Sequence, residues 1–159
     1  GYMSILNTRS GRVARKIKIP GDAAIYGGAL IGQNLLALGV YKKNSRIIVY
    51  NTETWEVEMV FENKCPNINL DRHIRQLAGF AGGDYFLEVS QQDNLIRIYL
   101  WNIKRSCPLK IIKEYPLQNG FMPITATFSK DGKYLAVAYD QIEIWEVSKL
   151  LDNTHGGDK

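Results

Sequence analysis

Four short segments echo one another along this chain: Ile5-Leu6-Asn7-Thr8, Val49-Tyr50-Asn51-Thr52, Leu100-Trp101-Asn102-Ile103 and Ile144-Trp145-Glu146-Val147. Their anchor positions, Asn7, Asn51, Asn102 and Glu146, are 44, 51 and 44 residues apart. A β-rich run ending in a large apolar residue precedes each anchor. A polar turn and a second strand-like run follow the first three. A unit that recurs at a fixed period cannot bury its apolar face alone, so it must stack on its neighbours.

A repeat of about 40–45 residues with four strand-length runs predicts a blade of a β-propeller, and so an all-β chain of antiparallel four-stranded sheets. The expected blades are a C–D hairpin over 2–19, a blade over 23–61, a blade over 73–114 and an incomplete blade over 123–147. A polar tail occupies 150–159. In the second unit, Ile25 to Ile31 reads as innermost strand A, small-residue-rich as a crowded centre demands. Leu35 to Val40 reads as strand B, buried on both faces, Arg46 to Tyr50 as C and Trp55 to Phe61 as D. In that D strand, Trp55, Val57, Met59 and Phe61 alternate with mostly polar residues, so one face should pack and one stay wet. In the third unit, strands run from His73 to Gly79, Tyr85 to Val89, Leu95 to Trp101 and Leu109 to Glu114. The fourth has Ile124 to Ser129, Tyr134 to Ala138 and Ile142 to Val147, and no fourth strand. Thirteen strands make three and a quarter blades, fewer than the about four to eight of a closed ring. The chain is therefore expected to belong to a larger propeller or to complete one with another polypeptide. A compact β-sandwich is the alternative fold.

The stretch Thr127-Phe128-Ser129-Lys130-Asp131-Gly132-Lys133-Tyr134-Leu135-Ala136-Val137-Ala138, with Ile142-Glu143-Ile144-Trp145-Glu146-Val147 after it, resembles the A–turn–B and C segments of a WD repeat. The resemblance extends over Tyr2 to Val147. It departs from the family at two points. The positions of the Trp-Asp pair read Leu6-Asn7, Tyr50-Asn51, Trp101-Asn102 and Trp145-Glu146, and no unit carries the Gly-His pair before strand A. The family's buried Asp-His-Ser/Thr-Trp hydrogen-bond network is therefore expected to be missing, leaving blades that rest on apolar packing.

The charge is uneven. The net charge is +4, yet Arg9, Arg12, Arg15, Lys16 and Lys18 place +5 in the first 19 residues, so the remainder sums to −1. Such a cluster can contact phosphates, or it can guard an outer strand against unwanted pairing. Aromatic stacking platforms, the usual companions of charge in nucleic-acid binders, are not interleaved with it. No run reaches the about 20 apolar residues of a membrane span. Cys65 and Cys107, each followed by proline, show neither CxxC nor metal-ligand spacing. They read as reduced thiols of an intracellular protein, in cytoplasm or nucleus.

No catalytic grouping is readable. His73 stands beside Asp71 and Arg72 without a recognisable nucleophile, and His155 lies in the tail. Gly27-Gly28 and Gly82-Gly83 are followed by no phosphate-loop Lys-Ser/Thr, and Asp93-Asn94 and Asp131-Gly132 lack EF-hand spacing. The expectation is a non-enzyme with no cofactor and no metal. What remains is the loop rim, the partner-binding face that the resemblance implies. Its D–A and B–C loops carry Tyr41, Lys42, Lys43, Arg72, His73, Phe121 and Tyr139, with aromatic and Arg residues the usual hot-spot types. The sequence thus points to a non-catalytic protein–protein interaction scaffold, a propeller segment of a multisubunit intracellular complex. Its partners would be proteins on the rim and a strand donor: a longer parent chain, another copy or a different subunit. The alternative is a nucleic-acid-associated propeller using Arg9, Arg12, Arg15, Lys16 and Lys18 of the N-terminal hairpin.

Overall fold

A computed structural model describes residues 1–62, 64–65, 68–69, 72–117 and 124–152. Each apolar run has become a strand, and the turn residues between them reverse the chain. The hairpin β1 (Tyr2–Leu6) and β2 (Val13–Lys18) stands first. A single 3-10 turn, Pro20–Asp22, leads into a four-stranded antiparallel sheet of β3 (Ala24–Ile31), β4 (Leu35–Tyr41), β5 (Ser45–Asn51) and β6 (Val57–Phe61). The short strands β7 (Lys64–Cys65) and β8 (Ile68–Asn69) pair with each other in the long connection that follows. The next four-stranded sheet comprises β9 (His73–Gly79), β10 (Tyr85–Gln92), β11 (Leu95–Asn102) and β12 (Lys110–Pro116). A three-stranded sheet of β13 (Thr125–Phe128), β14 (Tyr134–Ala138) and β15 (Ile142–Glu146) closes the described series, with a short helix α1 (Val147–Asp152) behind it.

The sheets stand side by side with their first strands together: β3 packs beside β9, and β9 beside β13. That is the arrangement of propeller blades around an axis, and it removes the sandwich alternative. Small residues are needed where the blades converge. A Cβ on Gly39 would lie 2.7 Å from Ile74 Cγ2, and one on Gly79 would lie 2.6 Å from the Leu30 carbonyl oxygen. A single side chain ties the β9–β12 and β13–β15 sheets at this centre: Gln76 Nε2 donates to the Ala126 carbonyl at 3.0 Å, and Ala126 N donates to Gln76 Oε1 at 3.0 Å.

Two apolar layers fill the spaces between blades. In the first, Ile31, Ile47, Val49 and Phe61 meet Ile74, Leu77, Phe86 and Trp101. Trp101, fully buried, stacks on Phe86 at 5.8 Å between centroids and meets Phe61 edge-on at 5.3 Å. In the second, Leu87, Val89, Ile96 and Ile98 meet Ala126, Phe128, Leu135 and Val137. The β1–β2 hairpin packs Met3 and Ile17 on Leu38, Val40 and Tyr50 of its neighbour.

Three differences from the sequence reading have local causes. Trp55 is not in a strand: it sits at φ 62° in the turn before β6, and a bulge opposite Val49/Tyr50 breaks the expected alternation, leaving Val57 exposed. The residues after β15 do not all fray. Val147, Leu150 and Leu151, at helical spacing, lay α1 against the second apolar layer, so the segment 150–159 begins inside a helix and its residues 153–159 lie outside the described ones. Finally, Cys65 and Cys107 are not free thiols. They form a disulfide with Cα atoms 5.6 Å apart, tying the connection after β6 to the turn between β11 and β12. Among the described residues no helix is long and apolar enough to cross a membrane.

Candidate functional site at the rim between two blades

The strand register brings a polar network into the first apolar layer. On β10, Phe86, Glu88 and Ser90 share the face turned towards the β3–β6 sheet, because side chains alternate along a strand. Glu88 is fully buried there. Its carboxylate accepts from Arg72, bidentately through Nε and Nη2, from the Ser90 hydroxyl, and from Trp101 Nε1 at 3.0 Å. The Arg72 guanidinium also lies 5.3 Å from the Tyr99 ring centroid and 5.8 Å from that of Trp101. The expectation that the blades rest on apolar packing therefore fails for the β9–β12 blade, although the network found there is built from Arg, Glu, Ser and Trp and not from the family's Asp-His-Ser/Thr-Trp set. A strand-B glutamate and an arginine just before strand A hold the tryptophan and serine together. The same burial raises the Tyr99 phenol above its ordinary range, partly offset by Arg72.

Arg72, placed on the open rim by its loop position, is thus only 4% exposed and committed to this ion pair. Its neighbours in sequence and space remain at the surface. His73 is exposed, and its ring lies 5.0 Å from that of Tyr41. Tyr41, half-buried at the end of β4, meets Tyr26 edge-to-face at 6.1 Å. Lys42 and Lys43 are exposed on the turn that follows. Together these strands enclose a cleft of about 220 Å³ lined by Tyr26, Tyr41, Ser45, His73, Ile74 and Arg75. Arg75 Nη2 donates to Gln91 Oε1. The hydroxyl of Ser45, a residue 1% exposed, has no hydrogen-bond partner.

Tyr139 belongs to a different junction. Its hydroxyl donates to the Pro116 carbonyl at 2.5 Å and its ring lies 4.6 Å from that of Tyr115. Tyr115 in turn donates to Glu143 Oε1 at 3.0 Å, and burial together with this carboxylate pushes its phenol well above the ordinary range. Phe121 lies outside the described residues. The rim candidates therefore divide: Tyr41 and His73 share one cleft, Lys42 and Lys43 flank it, Arg72 lies beneath in the core, and Tyr139 braces the next blade. Tyr26, Ser45 and Arg75 of the cleft were not singled out by sequence. No local signal marks them: Arg75 is the extra residue of a bulge between Ile74 and Gln76 on β9, where strand alternation breaks.

The basic hairpin presents its cations on more than one face. Arg9 and Arg12 are in or beside the turn, Lys16 and Lys18 project from one face of β2, and Arg15 projects from the other. Arg15 Nη1 donates to the Thr54 carbonyl at 3.4 Å, and Lys18 lies 3.8 Å from Asp22. All five are exposed, but no single track of charge results. Among the described residues no group of three or more His, Cys, Asp or Glu side chains could hold a metal ion.

No family model and no curated protein matches the chain. Solved structures do. A chain in the crystal structure of the mitotic checkpoint complex superposes with a TM-score of 0.57 at 19% identity, over 91% of this chain and 44% of that one. A chain in a complex of KlAtg21 with the coiled-coil of AgAtg16 superposes with a TM-score of 0.57 at 15% identity, over 91% of this chain and 46% of that one. These neighbours are β-propellers, in agreement with the blades described above. The chain spans less than half the length of either.

Proposed function

We propose that this chain is a segment of a non-catalytic propeller that serves as a protein–protein interaction scaffold in a multisubunit assembly. The observation that carries the reading is an uncovered sheet. The face of β13–β15 turned away from the β9–β12 blade exposes Ile142 at 72%, Ile144 at 66% and Tyr134 at 47%. Among the described residues no strand pairs with the outer side of β15. Open clefts of about 460 and 530 Å³ run along the same strand and α1, both lined by Tyr134 and Glu146. A free edge beside an apolar face is a template for another strand. Its donor would be the rest of a longer chain, another copy or a different subunit. Both structural neighbours named above were solved as parts of protein complexes, which supports the reading by analogy of fold.

Cross-linking with mass spectrometry on the protein isolated from its source tests this. The reading expects cross-links from Lys149 or Lys133, which flank the uncovered sheet, to another polypeptide or another copy. It fails if those lysines cross-link only within this chain while a small-molecule turnover is found. Binding to generic RNA or DNA that falls steeply with salt, and is lost on reversing the charge of Arg12, Arg15, Lys16 and Lys18, would instead favour nucleic-acid association. The divided cations of β2 lend that alternative no support. The proposal includes an intracellular setting, cytoplasm or nucleus. The Cys65–Cys107 bond counts against it, because disulfides persist mainly in oxidising compartments. Alkylation of freshly isolated protein decides: modified Cys65 and Cys107 support the intracellular setting, and protected ones exclude it.

A further inference from the structure

We propose that the uncovered face of the β13–β15 sheet is the seat of the β1–β2 hairpin of a second copy of this chain, the two copies joining head to tail. This rests on the scaffold reading and names the partner of that same sheet. By the spacing of the repeat, Ile142 and Ile144 hold the positions of Ile98 and Leu100 in the third unit, and of Ile47 and Val49 in the second. Ile47 and Val49 are fully buried in the first apolar layer, and Ile98 and Leu100 in the second, each pair covered by the blade that follows it. Met3, the equivalent of Ile142 in the first unit, likewise packs on the next blade. Ile142 and Ile144 lie on the corresponding face of the last described sheet, and no described blade follows it.

The hairpin shows the converse. Leu6 holds the position of Tyr50 and Trp101, which are fully buried against the unit before them. Leu6 itself is 56% exposed, and Tyr2, on the same face by strand alternation, is 65% exposed. Val13, which pairs with Leu6, is exposed as well. Each end of the chain thus presents one half of an inter-blade layer. The halves differ, so two copies meet through unlike faces. Charge complements the match. Residues 1–19 carry five cations and no acid, whereas Thr125 to Asp152 carry five acids against three lysines. Equivalent strands of successive blades run the same way, so a seated β1 places Tyr2 towards Ile142 and Leu6 towards Glu146. Lys18, opposite Tyr2 in the hairpin register, then comes to the turn before β15, where Asp140 is exposed. Arg9 and Arg12, in or beside the hairpin turn, come to the end where Glu146 is exposed. Lys18 lies 3.8 Å from Asp22, and Glu146 lies 2.8 Å from Lys149. Surface pairs of this kind contribute little and leave room for a second partner.

The test mixes two variants in sedimentation velocity. The sheet variant carries Ile142→Lys with Ile144→Lys and keeps its hairpin. The hairpin variant carries Tyr2→Lys with Leu6→Lys and keeps its last sheet. Each alone should associate about tenfold or more weakly than wild type, because two apolar side chains are lost from the contact. Thermal midpoints should stay close to wild type, since all four side chains are more than half exposed. Tyr2→Ser with Leu6→Ser serves if the lysines disturb the hairpin. An equimolar mixture joins an intact hairpin to an intact sheet. It should therefore recover one contact and reach twice the 18.0 kDa of one chain, with no larger species. The proposal is overturned if wild type stays monomeric, if the hairpin variants associate as wild type does, or if the mixture associates no more than its components. Cross-links from Lys149 or Lys133 to a different polypeptide would, alongside any of those results, leave the scaffold reading standing with another occupant on the sheet.

Discussion

Arg72 and Glu88 are two opposite charges under 5% exposed, and their energetics follow from that burial. Removing water from both is costly, and their attraction offsets the cost only while the remaining lone pairs are satisfied. Here Ser90 and Trp101 satisfy them. Arg72→Met would leave a buried carboxylate without its counter-charge, and unfolding in urea should show a loss of about 3–5 kcal/mol. The double change Arg72→Met with Glu88→Leu should recover only part of that loss, since it removes the unpaired charge but leaves the Ser90 hydroxyl and Trp101 Nε1 without their acceptor. A single-variant cost under about 1 kcal/mol would mean that the pair is solvated. The buried tyrosines give a second measurable consequence. Tyr50, Tyr99 and Tyr115 all have phenols raised above their ordinary value, burial being the first cause in each. A raised value means that the folded state holds the proton more tightly than the unfolded chain does. Stability should therefore be unaffected below pH of about 10 and should fall above it, by about 1.4 kcal/mol per pH unit for each tyrosine that ionises only on unfolding. Absorbance near the tyrosinate band, followed through alkaline unfolding, should show these phenols ionising with the transition and not before it.

The repeated asparagines explain why the first three echoes lie where strand C meets strand D. Asn7 Oδ1 accepts from Arg9 N and Ser10 N, both at 3.0 Å, and Asn51 Oδ1 accepts from Glu53 N at 2.9 Å and Thr54 N at 3.2 Å. Asn102 Oδ1 accepts from Lys104 N at 2.8 Å. Each is an Asx-type turn in which the side chain replaces a backbone acceptor. Where the fourth anchor is Glu146, the chain enters α1 instead. Asn51→Ala should cost about 1–2 kcal/mol for the two lost turn bonds, besides the Nδ2 bond to Glu58 Oε2 at 3.2 Å, and Asn51→Asp, which keeps the accepting oxygen but sets a carboxylate against Glu58, should retain part of the stability. Equal thermal midpoints for the two variants would remove the turn from the explanation. The turn also shows what was readable. The period, the anchor residues and the turn chemistry are local signals, so strands such as His73–Gly79 and Tyr134–Ala138 emerge at their expected places. Glu88 interrupts the apolar run Tyr85–Val89 of β10 and Arg72 lies in a loop 16 residues away, so their pairing depends on a register that no local signal specifies. The Cys65–Cys107 bond spans 42 residues and depends on how two connections meet. The cleft draws Tyr26, Ser45 and Arg75 from three strands of two sheets, which only the packing of blades brings together. Trp55 occupies the turn position that Gly11 holds in the first hairpin, at φ 62° against 65°. A bulky residue there stores about 1–2 kcal/mol, which β-propensity alone would have placed in the strand.

At the scale of the molecule, the blades are well buried against each other but not at the end of the described series. Leu135 and Val137 on β14 are fully buried under the β9–β12 blade. The opposite face of the same sheet, with Tyr134, Ile142 and Ile144, is open. Covering two such isoleucines removes apolar surface worth about 1.5–3 kcal/mol for each side chain fully buried. Pairing the outer side of β15 would satisfy backbone groups that no strand among the described residues pairs. The purified chain should therefore associate, with itself or with strands from another source. In sedimentation velocity over a concentration series, the mean mass should rise with concentration and exceed the 18.0 kDa of one chain. Ile142→Lys with Ile144→Lys should suppress that rise. Both side chains are more than half exposed, so the double change should leave the thermal midpoint within about 2–4 °C of wild type, the shift expected for under about 1 kcal/mol in a chain of this size. Loss of association with loss of folding would point to a structural role for the two residues and not to an interface. A wild-type chain that stays folded and strictly monomeric into the high micromolar range would show that the uncovered sheet is tolerated in water, and the strand donor would then have no part in the function.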